Sequence, residues 1–474
     1  MEQQKFSVII LAAGKGTRMK SSLPKILHPV AGKPMITRVI ESVKQAGAEE
    51  IRVVLGYGEP LVRKVIEPLG VTCLKQTSQL GTADAVKAAN VETLSGNVLI
   101  LNGDHPLILK QDIKLMLDNF ADSESDLQVT TVNMKNPKQF GRIVRHKGDI
   151  RAIVEAKDAS SETLKIHEVN TGIYLVKSDV LKELLPKIKN HNTQKEYYLT
   201  DLVSLSLENH LKVCTSACKM SVAYGVNSQV ELAKTSQYVF KRNAKTHMEN
   251  GATIIDPSNT YIEDDVKIGE SSVIFPGVFL RGSTLIGKYC VVEQNSFLNN
   301  MIVYDGVIIK TMSHLESSII KSKAVIGPFA RIRPETIIGE DARIGNFVEL
   351  KKVNFGSKSK AGHLTYLGDA EIGEEVNIGC GTITCNYDVD KKKYKTVIGD
   401  RTFVGSDTQF VAPVTVGEDA LIASGSTITK EVPDGGFAIA RSRQITKQGY
   451  VPTKLREQTS ALQNVETDVV GDKV

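Results

Sequence analysis

Ile326-Gly-Pro-Phe-Ala-Arg-Ile-Arg-Pro-Glu-Thr-Ile-Ile-Gly-Glu-Asp-Ala-Arg-Ile-Gly345 places an Ile-Gly pair at 326, 338 and 344, at separations of 12 and 6 residues. An aliphatic followed by glycine also occurs at Ile268-Gly269, Ile286-Gly287, Ile372-Gly373, Ile378-Gly379, Ile398-Gly399, Val404-Gly405 and Val416-Gly417. One such pair carries no information. Ten, several of them separated by 6, 12 or 18 residues, are the signature of a parallel β-helix built from hexapeptide repeats. One aliphatic in six points inward from each short strand, the small residue after it permits the corner, and stacked coils share one core. The period breaks around Asn299–Leu315 and Tyr387–Lys395, and both breaks are expected to project from the coil as loops.

Upstream of residue 250 the pattern is different. Val8–Leu11, Ile51–Leu55 and Val98–Leu101 are short aliphatic runs separated by stretches of helix length such as Met35–Ala46. That alternation predicts a mostly parallel sheet covered on both faces, with ligands at the carboxyl ends of the strands. Ser228–Asn250 has helix-forming composition and ends in Asn-Gly. The expected organisation is an α/β domain over 1–228, a connecting helix over 229–250, a β-helix over 251–453 and a mobile polar tail over 454–474.

Composition narrows the partners. The 59 Lys+Arg against 54 Asp+Glu leave a net charge of +5 over 474 residues, too diffuse to make nucleic acid the default partner. There is no Trp and aromatics reach only 5%, so branched aliphatics must fill the interior, which suits extended structure. The six cysteines are too few and scattered for a disulfide framework, and Cys214 and Cys218 have no His nearby to complete a zinc site. Phe6–Ala13 could pass for a short signal-peptide core, but its leader is almost uncharged and it reads as a buried first strand. No apolar stretch approaches about 18 residues, and the expected location is the cytoplasm.

The chemistry sits beside the predicted strands. After the first comes Leu11-Ala-Ala-Gly-Lys-Gly-Thr-Arg-Met19, then Leu23-Pro-Lys25. Gly14 and Gly16 let backbone N–H groups approach phosphates, and Arg18 and Lys25 add charge. The loop lacks the order of a Walker A motif and the third glycine of a dinucleotide fingerprint, and a tight turn with solvated cations fits its spacing equally well. Asp104, in Asn102-Gly-Asp-His-Pro106, follows another strand and reads either as a carboxylate ligand for Mg²⁺ or as a turn residue before proline. In the coil half, His363 lies in a stretch where Arg333, Lys351, Tyr366, Asn377 and Lys393 interrupt the aliphatics. A neutral imidazole could take the proton of an amine there.

Together with Gln79-Leu-Gly-Thr82, Phe140-Gly-Arg142 and Asn170-Thr-Gly172, these motifs resemble the sugar-1-phosphate nucleotidyltransferases. With the hexapeptide half included, the resemblance extends from about residue 5 to 450. It is then to the bacterial bifunctional enzymes that acetylate glucosamine-1-phosphate and uridylylate the product. It implies a Rossmann-like domain followed by a left-handed parallel β-helix, and a homotrimer with no nucleic-acid or membrane partner.

In the first domain the resemblance implies that Leu11, Ala12, Ala13, Gly14, Gln76, Gly81 and Thr82 hold the nucleotide of UTP. Gly141, Glu155 and Asn170 would hold N-acetylglucosamine, Arg18 and Lys25 would counter phosphate charge, and Asp104 and Asn227 would ligate Mg²⁺. In the β-helix it makes His363 the base, oriented by Glu349, with Asn386 and Tyr387 shaping the transition-state pocket. Arg333, Lys351, Tyr366, Asn377 and Lys393 would bind glucosamine-1-phosphate, while Cys380, Asn386, Tyr387, Ser406, Ser424 and Arg441 would line the acetyl-CoA channel. Three features depart from the family pattern. Asn102 stands where an aromatic is common, Cys380 replaces a small alanine, and the loop Asp388–Tyr394 is one residue longer. The rival expectation is a single-site nucleotidyltransferase with a structural or regulatory β-helix.

Overall fold

The structure, a computed structural model, describes residues 5–450 together with Thr453, Leu455, Glu457 and Gln458. The tail expected over 454–474 lies outside the described residues apart from Leu455, Glu457 and Gln458. By packing, the chain forms two compact units, Met1–Ser317 and a second that begins at Ser318.

The first unit is organised around the strand Phe6–Ala12. Its alternating side chains reach opposite faces of the sheet: Val8 and Ile10 pack with Ile36, Val39 and Ile40, while Ile9 packs with Ala83, Val86 and Ile100. Burying each of these aliphatics contributes roughly 1.5–3 kcal/mol. The helix that covers the first face runs Met35–Ala46 and ends at Gly47 in the left-handed region. Parallel partners flank the first strand, Glu50–Leu55 on one side and Asn97–Asn102 on the other. The sheet continues through Glu168–Lys177, antiparallel to both its neighbours, and Leu127–Asn133 to Val213–Ala217. Chain order therefore reverses beside Phe6–Ala12, and the loops after it and after Asn97–Asn102 leave the same edge of the sheet. That switch point is where ligands of open α/β sheets bind.

The helix Gln229–Glu249 follows, with the Ser228 hydroxyl accepting from the Glu231 N–H at 3.3 Å. The first coils come next, from Thr253–Ile254 to His314–Glu316, each short strand pairing in parallel with the one three further on. Ile274, Val292 and Ile309 stack as one inward ladder. Buried hydroxyls occupy narrower interior positions and bond to corner carbonyls, as Ser272 Oγ does to Gly287 at 2.8 Å.

The expected loop over Asn299–Leu315 is not one. Leu285 pairs with Ile302, Val291 with Ile308 and Phe297 with His314, so the coil continues unbroken. Its turns are one residue shorter, 17 between partners where Val273 and Val291 stand 18 apart. That slip, with no glycine after Val303, Ile309 or Leu315, erases the repeat from the sequence while leaving each aliphatic inside.

In the second unit, Arg343–Phe355 and Lys360–Ile372 pair for ten positions at an offset of 17. Gly345 belongs to this contact, since a Cβ there would come 1.9 Å from the Gly362 carbonyl oxygen. The next offset, Ala370 to Thr396, is 26, so one turn carries 26 − 17 = 9 extra residues. They form a hairpin in which Tyr387 faces Lys393, and the break at Tyr387–Lys395 is a projecting loop as the sequence implies.

Candidate active sites

At the switch point, a cavity of about 340 Å³ is lined by Leu11, Ala12, Ala13, Gly14, Lys25, Gln76, Gly81, Thr82 and Asp104, with Gln79, Asn102 and Glu196. A second, of about 220 Å³, is lined by Gly141, Glu155, Asn170 and His105 among others, and shares Leu11, Thr82 and Asn102 with the first. The residues expected to hold nucleotide and sugar therefore fall into two adjoining chambers. Asn102 stands between them.

Three long-range contacts fix the charged end. Lys25 Nζ donates to Asp104 Oδ2 and, at 2.7 Å, to Asn227 Oδ1. Arg18 Nη2 donates to the same Asn227 oxygen at 2.8 Å. Gly16, with φ +63°, is what lets the loop close on Lys25, because a Cβ there would sit 2.5 Å from the lysine Cβ. Burial would raise the Asp104 pKa, but the charges of Lys25 and His105 and the hydrogen bonds to the carboxylate together outweigh it and hold the carboxyl below its usual range. The carboxylate and amide oxygens already converge on a cation, the lysine ammonium. That pair of hard oxygen donors fits Mg²⁺ completed by waters and substrate phosphates.

Smaller contacts shape the chambers. Gln79 Nε2 donates to the Ala13 carbonyl at 2.8 Å and Gln76 Nε2 to Asp84 at 2.6 Å. Asn170 Nδ2 donates to the Tyr174 hydroxyl at 2.7 Å. Glu155 is pushed up from the usual carboxylate range by burial and by the neighbouring charges of Asp158, Asp201 and Glu196.

In the second unit, His363 is exposed, and its Nδ1 shares a 2.7 Å hydrogen bond with Asn346 Oδ1. With the amide oxygen as acceptor, Nδ1 carries the proton and Nε2 is left bare. The resemblance gave Glu349 this orienting role. Glu349 instead accepts from Arg333 Nη1 at 2.8 Å, because the register sets Asn346 opposite His363 and Glu349 opposite Tyr366. Lys351, Lys393 and Arg333 converge. The side chain and charge of Lys393, then the charge of Arg333, lower the Lys351 pKa from the ordinary lysine value. The hairpin thus brings Lys393 to this cluster.

The remaining coil residues form a column up one edge. Gly381 N–H donates to the Leu364 carbonyl, Asp407 N–H to Cys380, Gly425 N–H to Ser406, and Arg441 Nη1 to Ser424 at 2.7 Å. From His363 to Arg441 that is four coil steps, roughly 19 Å at the spacing of paired strands. Asn377 lies one coil from Lys360 and the next from Phe403. Sequence reasoning missed Asn346 and Asp369, which the period itself could have found, since each lies 17 residues before a residue it did name (363 − 346 = 17 and 386 − 369 = 17).

An α/β head with a phosphate loop at its switch point and a hexapeptide coil with a bare imidazole define a two-site transferase. Residues 8–165 match the MobA-like NTP transferase domain, 254–360 the GMPPB C-terminal domain and 395–430 the bacterial transferase hexapeptide of six repeats. The bifunctional protein GlmU of Bdellovibrio bacteriovorus is 60% identical over 444 residues, covering 94% of this chain and 97% of that protein. Its namesake in Alkaliphilus metalliredigens is 45% identical over 454 residues, covering 95% and 99%. A solved structure of a putative glucose-1-phosphate thymidylyltransferase from Bacillus anthracis is 21% identical, with a TM-score of 0.41, over 49% of this chain and 94% of that one; so distant a likeness adds nothing. The chain belongs to the bifunctional GlmU family. No helix among the described residues is long and apolar enough to cross a membrane.

Proposed function

We propose that the two sites work in sequence, acetylating glucosamine-1-phosphate in the coil and uridylylating the product in the head. The observation that carries this reading is the edge column. It begins at an imidazole and ends at a guanidinium, and the same unit gathers three cations, as a long thioester carrier and a short phosphorylated amine together require. The cations Arg333, Lys351 and Lys393 hold the sugar phosphate, with Tyr366 and Asn377 at its hydroxyls. The amine nitrogen attacks the thioester carbonyl as His363 Nε2 takes its proton, the C–S bond breaks, and the imidazolium returns that proton to the leaving sulfur, releasing coenzyme A as a thiol. Asn346 keeps the ring in the right tautomer, and Asn386 and Tyr387 border the reacting carbonyl. Cys380, Ser406, Ser424 and Arg441 line the carrier's path.

In the head, a phosphate oxygen of N-acetylglucosamine-1-phosphate attacks the α-phosphorus of UTP in line, and pyrophosphate leaves. Leu11 to Gly14, Gln76, Gly81 and Thr82 seat the nucleotide, and Gly141, Glu155 and Asn170 seat the sugar. Lys25 and Arg18 counter charge on the phosphates, so catalysis is positioning and neutralisation. Asp104 and Asn227 would hold Mg²⁺, which when bound supplies further neutralisation of the same oxygens. The reading extends to a cytoplasmic homotrimer that makes UDP-N-acetylglucosamine for the cell envelope. Exposed Phe329, Phe347 and Leu364, stacked up one corner of the coil, support packing against another copy.

One incubation tests the whole. The protein is given glucosamine-1-phosphate, acetyl-CoA, UTP and Mg²⁺, and free thiol and pyrophosphate are followed separately. Both should appear, thiol first. Pyrophosphate from N-acetylglucosamine-1-phosphate without any thiol release would leave the single-site reading.

A further inference from the structure

Asp369 lies one coil before Asn386, and its Oδ2 accepts from Asn386 Nδ2 at 2.5 Å. Asn386 is itself buried, at 6% exposure. A carboxylate that engages the amide nitrogen fixes which way the amide oxygen points. The neighbouring backbone leaves little slack, since a Cβ on Gly368 would come 2.4 Å from the Tyr366 hydroxyl and 2.7 Å from Asn386 Nδ2. Asp369 also faces the cations. Its charge acts on Lys351 against those of Lys393 and Arg333, and it shares with Lys393 the wall of a cavity of about 430 Å³. Its backbone is left-handed, φ +48°, a conformation that Asp and Asn tolerate better than most residues.

We propose that Asp369 is a positioning residue of the acetyl-transfer site, holding Asn386 toward the reacting carbonyl and keeping the three cations together until a substrate phosphate joins them. The inference rests on the acetyl-transfer reading and adds a residue that reading does not use. Because it acts through Asn386, its loss falls on turnover. Because its carboxylate competes with phosphate for the same cations, its loss does not weaken substrate binding.

The test uses the full-length protein and thiol release with glucosamine-1-phosphate. Asp369→Asn keeps size and backbone preference, so the melting temperature and pyrophosphate formation stay at parental values. The kcat for thiol release is expected to fall about tenfold, with KM for glucosamine-1-phosphate unchanged or lower. Asn386→Ala and the double variant Asp369→Asn/Asn386→Ala should then agree in kcat within about twofold, since the second change has nothing left to act through. A kcat within twofold of the parent, a loss confined to a raised KM, or additive losses in the double variant would each overturn the proposal. If the unaltered protein released no thiol, the acetyl-transfer reading would fail, a result distinct from any of these.

Discussion

The head and the coil reach chemical precision by opposite routes. In the head, loops from distant parts of the chain fold over a sheet edge, and the charges they carry are satisfied before substrate arrives. Lys25, Asp104 and Asn227 lie 79 to 202 residues apart in sequence, yet form one hydrogen-bonded group beside a cavity. The coil leaves its groups open and opposed. His363 is exposed, and Lys351 and Lys393 repel. Position comes instead from the period, which sets Asn346 opposite His363 and Glu349 opposite Tyr366 in the same parallel ladder. A site built from loops tolerates a change in the lattice elsewhere, whereas a site built from a lattice does not.

The sharpest way to break this comparison is His363→Ala. Thiol release should fall by about 10²–10⁴, the usual worth of a general base, while pyrophosphate formation from N-acetylglucosamine-1-phosphate is untouched. If both activities fall together, the two sites are not separate. The mirror change, Asp104→Asn, should lower pyrophosphate formation by about 10²–10³ and leave thiol release alone, because an amide cannot replace the charge that faces Lys25. Gly345→Ala probes the lattice. Its new Cβ meets the Gly362 carbonyl beside His363, so acetyl transfer should fall about tenfold and melting should occur earlier, at a cost of roughly 1–3 kcal/mol. Preserved acetyl transfer in that variant would mean the register has more play than the pairing implies.

Two smaller effects concern protons. Lys351 has its pKa lowered chiefly by Lys393, so it loses its proton at a lower pH than an ordinary lysine. Affinity for glucosamine-1-phosphate should therefore decline early as pH rises. Lys393→Ala weakens binding overall, about tenfold, but moves the decline to higher pH, read from KM across an alkaline series. Glu155 is raised by burial and by Asp158, so its folded form holds a proton that the unfolded chain gives up. Folding is then favoured below the unfolded pKa of about 4.3 and loses that contribution as pH climbs through the folded value. Glu155→Gln should raise the melting temperature slightly at pH 7.5 but not at pH 4, while raising KM for the sugar phosphate several-fold.

Much of this was legible in the residues. The strands Val8–Leu11 and Ile51–Leu55, the helix Met35–Ala46 and the Ile-Gly ladder all declare themselves because local pattern and tertiary packing ask for the same side chains. The chambers of the head were legible through the family resemblance, residue by residue, since their loops carry unusual residues at sheet edges. What failed was arithmetic. An ideal coil repeats at 18, and this one slips to 17 for the strands that start at Leu285, Val291 and Phe297, so Asn299–Leu315 looked irregular although Val303, Ile309 and Leu315 were still pointing inward. The offset returns to 18 at Ile319, and a second slip to 17 at Ile337 hid Asn346 and Asp369. An interior hydroxyl such as Ser272, bonding its own corner, gives no hydrophobic signal to count.

The edge column has a consequence for what the coil can tell apart. His363 and Arg441 are separated by a whole number of turns, and no local rearrangement of a side chain alters that number. The distance between the reacting end of a carrier and its anchored end is therefore set in steps of roughly 4.8 Å, one per strand spacing. Deleting a complete turn between Cys380 and Ser424 would shorten the interval by one step and leave every inward aliphatic in place. With a carrier seated along the column as proposed, the coil would act as a ruler with discrete gradations.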